Sequence, residues 1–196
     1  MLYKILRILV LIIFKIIFRC EIIGAEKIPA NTPVIISPNH KSNFDPFLVS
    51  ALVKPQIHWI AKKELFEFKP LGALIYAVGG FPIDREKSNI KAIKTAMNIL
   101  KNNKILGLFP EGTRVKKPDF ENPKSGVALI AHRTKSTVVP MYIDGNYTPF
   151  KKMKLIVRDP MDLSKLPKAE QKDYDSISLD ILKSIYGVDE NKNYIS

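Results

Sequence analysis

Cysteine is nearly absent from this sequence, and that scarcity sets the first limits. With Cys20 the one thiol among 196 residues, no internal disulfide can form. Without a C-x-x-C pair or clustered Cys/His spacing, no structural metal is indicated. Cys20 has no histidine beside it in the sequence and reads as an inert apolar thiol rather than a nucleophile. A G-x-S-x-G element is missing too, so no serine nucleophile is evident. Nor is there an apolar run of the ~20 residues that a spanning helix needs; the longest uninterrupted one is Ile8 to Phe14. Acidic residues are the other shortage. They number 19 against 31 Lys and Arg, for a net charge of +12 and a pI near 9.7, an excess that favours polyanions: nucleic acid, an anionic membrane surface or a phosphorylated substrate. With no zinc-finger pattern and no interleaved aromatic and basic motif, nucleic acid is the least supported of the three. Repeats, low-complexity tracts and interdomain linkers are also missing.

What remains is globular, 46% hydrophobic and 26% charged, and of a length that fits one domain. Its first segment stands apart. Leu2 to Phe18 is almost all Ile, Leu, Val and Phe, broken by Tyr3, Lys4, Arg7 and Lys15, with Arg19 just beyond. At about 100° per residue, Lys4, Arg7, Lys15 and Arg19 share an arc of roughly 120°, and the rest of the helix is apolar. This pattern predicts an amphipathic helix over residues 1–19 lying in a membrane interface, its cations reaching lipid phosphates, ahead of a domain spanning residues 20–196. Two readings compete: a helix packed on the protein's own core or on a second subunit, and a secretory signal or anchor. Against the signal, Lys15 interrupts the apolar region and no small-x-small cleavage site follows.

From Glu21 onwards, short apolar strands alternate with helical patterns, which predicts a single α/β domain with a mixed, mostly parallel sheet flanked by helices. Strands are expected at Glu21–Gly24, Val34–Ser37, Ile57–Ala61, Phe81–Ile83, Ile105–Phe109, Thr137–Ile143 and Lys154–Val157. Helices are expected at Phe47–Val53, Leu71–Val78, Asn89–Lys101 (capped by Ser88), Gly126–Arg133 and Lys168–Tyr186. Asn89–Lys101 should turn Ile90, Ile93, Met97 and Leu100 inward. Pro140 inside Thr137–Ile143 points to an irregular or peripheral strand.

Ligand chemistry in an open α/β sheet gathers at the carboxyl ends of strands, and the polar motifs fall there. After Val34–Ser37 comes Asn39-His40-Lys41-Ser42-Asn43-Phe44-Asp45, an imidazole and a carboxylate in one short loop. A neutral imidazole takes a proton from an alcohol when a carboxylate on its other nitrogen fixes the tautomer and favours the imidazolium. The plainer alternative makes Asp45 the N-cap of the next helix, ahead of Pro46. Asp84-Arg85 follows Phe81–Ile83, and Pro110-Glu111-Gly112-Thr113-Arg114 follows Ile105–Phe109. Arginine suits phosphate through its planar fork, and glycine lets backbone N–H groups approach an anion. Taken singly, Arg85 reads as a surface partner of Glu86 or Asp84, Glu111 with Arg114 as a turn salt bridge, Lys124 as a solvated lysine, His58 as a core or edge histidine and His132 as helix surface.

In combination, Asn39-His40 through Asp45, Gly80-Phe81-Pro82-Ile83-Asp84-Arg85, Phe109-Pro110-Glu111-Gly112-Thr113-Arg114 and Val138-Val139-Pro140-Met141 resemble the four ordered motifs of the glycerolipid acyltransferases. The likeness is greatest to bacterial 1-acyl-sn-glycerol-3-phosphate acyltransferases and covers residues 20–160. It implies an α/β fold with a membrane-embedded N-terminal helical element, His40 as base with Asp45 as its partner, and Arg85, Glu111, Gly112, Thr113 and Arg114 at the acyl-acceptor site. It also suggests a role for Lys124 and a structural or acyl-donor role for the Pro140 strand. The expected substrates are lysophosphatidate and an acyl-CoA or acyl carrier protein, with no cofactor or metal, at the cytoplasmic face of the membrane as a peripheral or monotopic protein. The sequence departs from the family pattern in its short N-terminal segment and in Val115, where serine is common. Related expectations are transfer to glycerol 3-phosphate or another lysolipid, hydrolysis, or anionic-lipid binding without turnover.

Overall fold

The computed structural model describes residues 2–83, 90–164 and 170–188. Helix α1 (Leu2–Phe18) leads into β1 (Glu21–Ile23), β2 (Val34–Pro38), α2 (Asp45–Leu52), β3 (Ile57–Lys62), α3 (Lys69–Ala77), β4 (Phe81–Ile83), α4 (Ile90–Lys101), β5 (Ile105–Gly107), α5 (Gly126–Thr134), β6 (Thr137–Asp144), β7 (Lys154–Val157), β8 (Met161–Asp162) and α6 (Gln171–Tyr186). The strands form one sheet in the order β1-β7-β6-β2-β5-β3-β4, with β8 pairing onto β6. Every pair is parallel except β6 with β7 and β6 with β8, so the expected mixed, mostly parallel sheet is present. The Ser88 cap and the starts of two expected helices, at Asn89 and Lys168, lie outside the described residues.

Strand β2 is central and buried along its whole length, which is why it reads as an uninterrupted apolar run. Its alternate residues feed two cores. Val34 and Ile36 join Leu48, Val49, Trp59, Val139 and Phe14 of α1 on one face. On the other, Ile35 joins residues of α4, α5 and α6, among them Leu100, Ala128 and Ile181.

Two local expectations are corrected. Helix α4 buries Ala92 and Ala96 beside the expected Leu100, with Ile93 and Met97 half-buried, whereas Ile90 is exposed; two alanines on the buried line shift the contact face away from Ile90. Pro140 does not mark a peripheral strand, because β6 lies between β2 and β7. In the register, β8 pairs as far as Val138 and β7 begins at Met141, so the missing proline N–H falls at the join between two neighbours. The Pro140 carbonyl is still used, accepting from the Arg158 N–H at 2.9 Å. A proline is tolerated inside a sheet where no ladder bond is owed.

Helix α1 packs on α2 with one face and leaves the other uncovered. Phe14 is buried and Val10 and Phe18 pack against the same core, while Ile5, Ile8, Leu9, Ile12 and Ile16 are each at least half exposed. The expectation that Arg7 reaches towards lipid is overturned. Its guanidinium turns inward and donates to the carbonyls of Ser50 at 3.2 Å and Ala51 at 2.7 Å. These belong to the last turn of α2, whose carbonyls lack helical partners and whose dipole favours a cation. Among the described residues, no helix is long and apolar enough to cross a membrane.

Candidate active site

The site is built on the carboxyl end of β2. Asn39 is buried, and its side chain clamps the neighbouring strand: the Ile143 N–H donates to its Oδ1 at 2.7 Å, and its Nδ2 donates to the Ile143 carbonyl at 3.4 Å. This anchors the loop at its first residue. The chain then turns through Ser42, whose carbonyl accepts the Asp45 N–H at 3.2 Å, and enters α2 at Asp45-Pro46.

His40 Nδ1 lies 2.9 Å from Asp45 Oδ2, with the imidazole 13% exposed and the carboxylate fully buried. Asp45 does not cap the N–H groups of its own helix. It points back over the loop, where Oδ2 also accepts the Lys41 and Ser42 N–H groups, each at 2.7 Å, while Oδ1 accepts the Tyr147 hydroxyl at 2.7 Å. An ionised carboxylate is acceptor-only, so Nδ1 of His40 carries the donated proton and Nε2 keeps its lone pair. Burial and the adjacent Asp45 push the Tyr147 hydroxyl far above the usual phenol range, so it serves as a permanent donor.

Glu111 reaches the same histidine from β5's end of the sheet. Its Oε2 accepts the His40 N–H at 2.7 Å, and its Oε1 accepts the Tyr186 hydroxyl in a short bond. Val115 N–H donates to the His40 carbonyl at 2.9 Å. Both main-chain polar groups of His40 are therefore held by the loop that follows β5. Burial raises the Glu111 carboxyl above the ordinary range, against the lowering effect of the Tyr186 hydroxyl and the His40 N–H. Both oxygens of the Glu111 carboxylate thus accept a bond within the protein, from the His40 N–H and the Tyr186 hydroxyl, in place of a turn salt bridge with Arg114.

The imidazole face is held by stacking. His40 and Phe109 lie 3.8 Å apart between ring centroids and 15° from parallel, and Phe109 stacks in turn on Trp59 at 5.0 Å. Gly107 makes room for the stack, because a Cβ there would stand 2.4 Å from the Trp59 ring.

The remaining candidates form a rim. Gly112 has φ +68°, a left-handed conformation that glycine adopts without strain. Thr113, Arg114 and Lys124 are exposed. Glu111, Thr113 and Lys124 line a cavity of about 130 Å³ together with Pro110, Val115 and Asp119, smaller than the ~300 Å³ at which small-molecule sites begin. Arg85 lies outside the described residues. The other two histidines are engaged elsewhere, His58 with the Gly79 carbonyl at 3.2 Å and His132 with the Tyr174 hydroxyl at 3.0 Å.

A buried carboxylate aligned on an imidazole, with the second ring nitrogen free, is a general-base arrangement, and comparison with known proteins gives it a family. The model of the family described as Acyltransferase matches residues 19–144. The chain belongs to the acyltransferase family. It is 35% identical over 161 residues to a 1-acyl-sn-glycerol-3-phosphate acyltransferase of Bacillus subtilis, covering 77% of this chain and 79% of that one. It is 30% identical over 200 residues to a protein of the same name from Streptococcus pneumoniae, covering 97% and 74%. The crystal structure of the 1-acyl-sn-glycerophosphate acyltransferase PlsC from Thermotoga maritima superposes with a TM-score of 0.70 at 24% identity, over 92% of this chain and 78% of that one, a likeness of fold.

The family match encloses His40, Asp45 and Glu111 but stops short of two residues that hold this acyltransferase's site, Tyr147 and Tyr186. Sequence reading missed both, along with Phe109, Trp59 and Asn39 in their supporting roles. No local signal marks Tyr186, which belongs to the last turn of α6. Tyr147 was closer to detection, since it follows Asp144-Gly145 at the carboxyl end of β6, where site residues gather. Lys41 was likewise passed over: its Nζ donates to the Gly145 carbonyl at 2.6 Å, and burial draws the amine below its usual range against the pull of Asp45 and Asp144.

Proposed function

We propose that this acyltransferase moves a fatty acyl group from an acyl thioester to the sn-2 hydroxyl of lysophosphatidate, giving phosphatidate. The observation that carries the reading is the His40–Asp45 pair, 2.9 Å apart with the carboxylate fully buried, in a chain whose relatives are named 1-acyl-sn-glycerol-3-phosphate acyltransferases. Nε2 of His40 accepts the hydroxyl proton as the oxygen attacks the thioester carbonyl. A C–O bond forms, the C–S bond breaks, and the imidazolium returns its proton to the departing thiolate. Asp45 holds the tautomer and favours the transient cation. Transfer is direct, with no acyl-enzyme and no cofactor.

Arg114 and Lys124 on the rim, with Arg85, supply cations for the acceptor phosphate, and Gly112 and Thr113 shape the turn that presents them. Glu111 serves as a positioning residue for His40. The donor is an acyl-CoA or an acyl carrier protein. The half-exposed apolar face of α1 lies among acyl chains at the cytoplasmic face of the membrane, which makes the protein peripheral or monotopic. Incubating purified protein with labelled acyl-CoA or acyl carrier protein and a panel of lysolipids and glycerol 3-phosphate tests the reading. Phosphatidate is the expected product; turnover on glycerol 3-phosphate alone would reassign the acceptor, and inactivity on every pair would overturn the proposal.

A further inference from the structure

Helix α3 has almost no interior. Of its residues Lys69–Ala77, only Gly72 is buried, although the helix carries Leu71, Leu74, Ile75 and Tyr76. Such a short helix is not stable in water by itself, and burial of an apolar face normally supplies the difference. What braces it here is the 3-10 turn that precedes it, Lys63–Phe66. A Cβ on Gly72 would stand 2.9 Å from the Phe66 carbonyl oxygen, and the Phe66 and Tyr76 rings lie 4.7 Å apart. The turn and the helix thus form a small braced knob. Its outer surface is apolar: Leu65 is 43% exposed, Phe68 67%, Leu71 38%, Leu74 43% and Tyr76 56%. Single exposed apolar side chains are ordinary on a protein surface, whereas a cluster of this kind marks a contact.

Topology says what kind of contact. Going from β2 through α2 to β3, and from β3 through α3 to β4, the chain advances in the same direction across the sheet. Parallel crossovers are right-handed, so α2 and α3 cover the same face, the face on which Phe14 of α1 packs with Leu48 and Val49 of α2. Helices α4 and α5 return in the other direction and cover the opposite face. Exposed large apolar residues follow this division. The first layer displays those of α1, Phe44 and Phe47 at the start of α2, and the knob, whereas the described helices of the second display Ile90 alone. Helix α1 leads into β1 at one edge of the sheet and α3 into β4 at the other, with the His40 loop on the central strand between them.

We infer that the segment Lys63–Ala77 is a second membrane foothold, seating Leu65, Phe68, Leu71 and Leu74 in an anionic phospholipid leaflet on the same side as α1. The inference rests on the proposed interfacial seat of α1 and extends it to a two-point attachment that brings the His40 loop down onto the bilayer surface. Exposed Lys62 precedes the knob and exposed Lys69 opens its helix, in a chain of net charge +12, and lysines beside an apolar seat meet anionic headgroups. Glu64 and Glu67, also exposed, lie on the turn and belong at headgroup level. Tyr76, apolar in body and polar at its tip, suits the interface.

The test uses the full chain labelled with an environment-sensitive fluorophore at Leu74→Cys, at Ile12→Cys on α1, or at the exposed Asn98→Cys on α4; Cys20 is buried and does not compete. With phosphatidylglycerol–phosphatidylcholine vesicles, the labels at positions 74 and 12 are expected to shift to the blue and to be quenched by brominated lipid, while the label at 98 stays in water. A shift at 12 with none at 74 overturns this inference and leaves the reading of α1 standing; no shift at either overturns both. Protection of position 74 without lipid, rising with protein concentration in step with dimer formation, overturns it in favour of a second copy of the chain. As a second measure, replacing Phe68, Leu71 and Leu74 together by Ser should weaken vesicle partitioning at least about tenfold, with turnover of detergent-dispersed substrate retained. Undiminished partitioning would also overturn the inference.

Discussion

Asp45 and Glu111 are both buried carboxylates bonded to His40, and they hold different parts of it. Asp45 grips the ring, through Nδ1, and is itself held by two loop N–H groups and the Tyr147 hydroxyl. Glu111 grips the main chain, through the His40 N–H, and is held by Tyr186. One carboxylate can therefore act on the charge of the imidazole, and the other on its position. The wider surroundings repeat the division, because Tyr147 packs its ring on Phe14 and Phe18 of α1, whereas Tyr186 packs on Tyr142 and Phe120. The dyad is thereby tied to the N-terminal helix, and the positioning glutamate to the C-terminal one.

The sharpest separation of the two roles comes from the dyad itself. His40→Ala and Asp45→Asn should each lower kcat by about 10²–10⁴ with little change in vesicle binding, measured as initial rates at saturating acceptor. Near wild-type turnover by either variant would remove the base assignment. Glu111→Ala should cost less in rate, about tenfold through misplacement of the histidine, and more in stability, about 1–3 kcal/mol for buried donors left without a partner. If it proved as damaging as Asp45→Asn in rate with no loss in urea denaturation, Glu111 would belong to the chemistry and the comparison would collapse.

Smaller effects distinguish the two tyrosines. Tyr147→Phe removes one of the donors that hold Asp45 against the His40 ring, so kcat should fall by about a factor of ten. Tyr186→Phe removes a donor from Glu111, which holds the His40 main chain, and should lower the rate less. Equal losses would mean that the two tyrosines act on the site in the same way.

The smallest expected effect is the pH dependence of stability that Glu111 contributes. Burial raises its carboxyl in the folded state, so the folded protein holds this proton more tightly than the unfolded chain does. Stability therefore falls as pH rises from the unfolded glutamate value of about 4.3 to the raised folded value, and stays level above it. Urea denaturation from pH 4 upwards should show wild type losing stability relative to Glu111→Gln over that interval. A difference that did not vary with pH would show that burial leaves Glu111 unperturbed.

What could be read before folding was local. Val34–Pro38 announces a buried strand because both its faces meet cores, and the His40-to-Asp45 spacing closes within one loop, where the partners stand five positions apart. The order of strands and helices follows from apolar periodicity, a property of neighbouring residues. The misreadings have the opposite character. Pro140 is acceptable in a central strand because of where β7 takes over from β8, and Arg7 turns inward because α2 ends beneath it.

By itself the sequence determined the alternation of elements, the polar loops at strand ends and the imidazole–carboxylate pair, since each depends on residues within a few positions of one another. Tertiary structure alone decided what holds that pair. Glu111 is 71 residues from His40, Tyr147 is 102 from Asp45, and Tyr186 is 75 from Glu111. No periodicity or spacing reports such partners, because their meeting is set by strand order in the sheet, and a buried carboxylate takes its donors from whichever elements that order brings together.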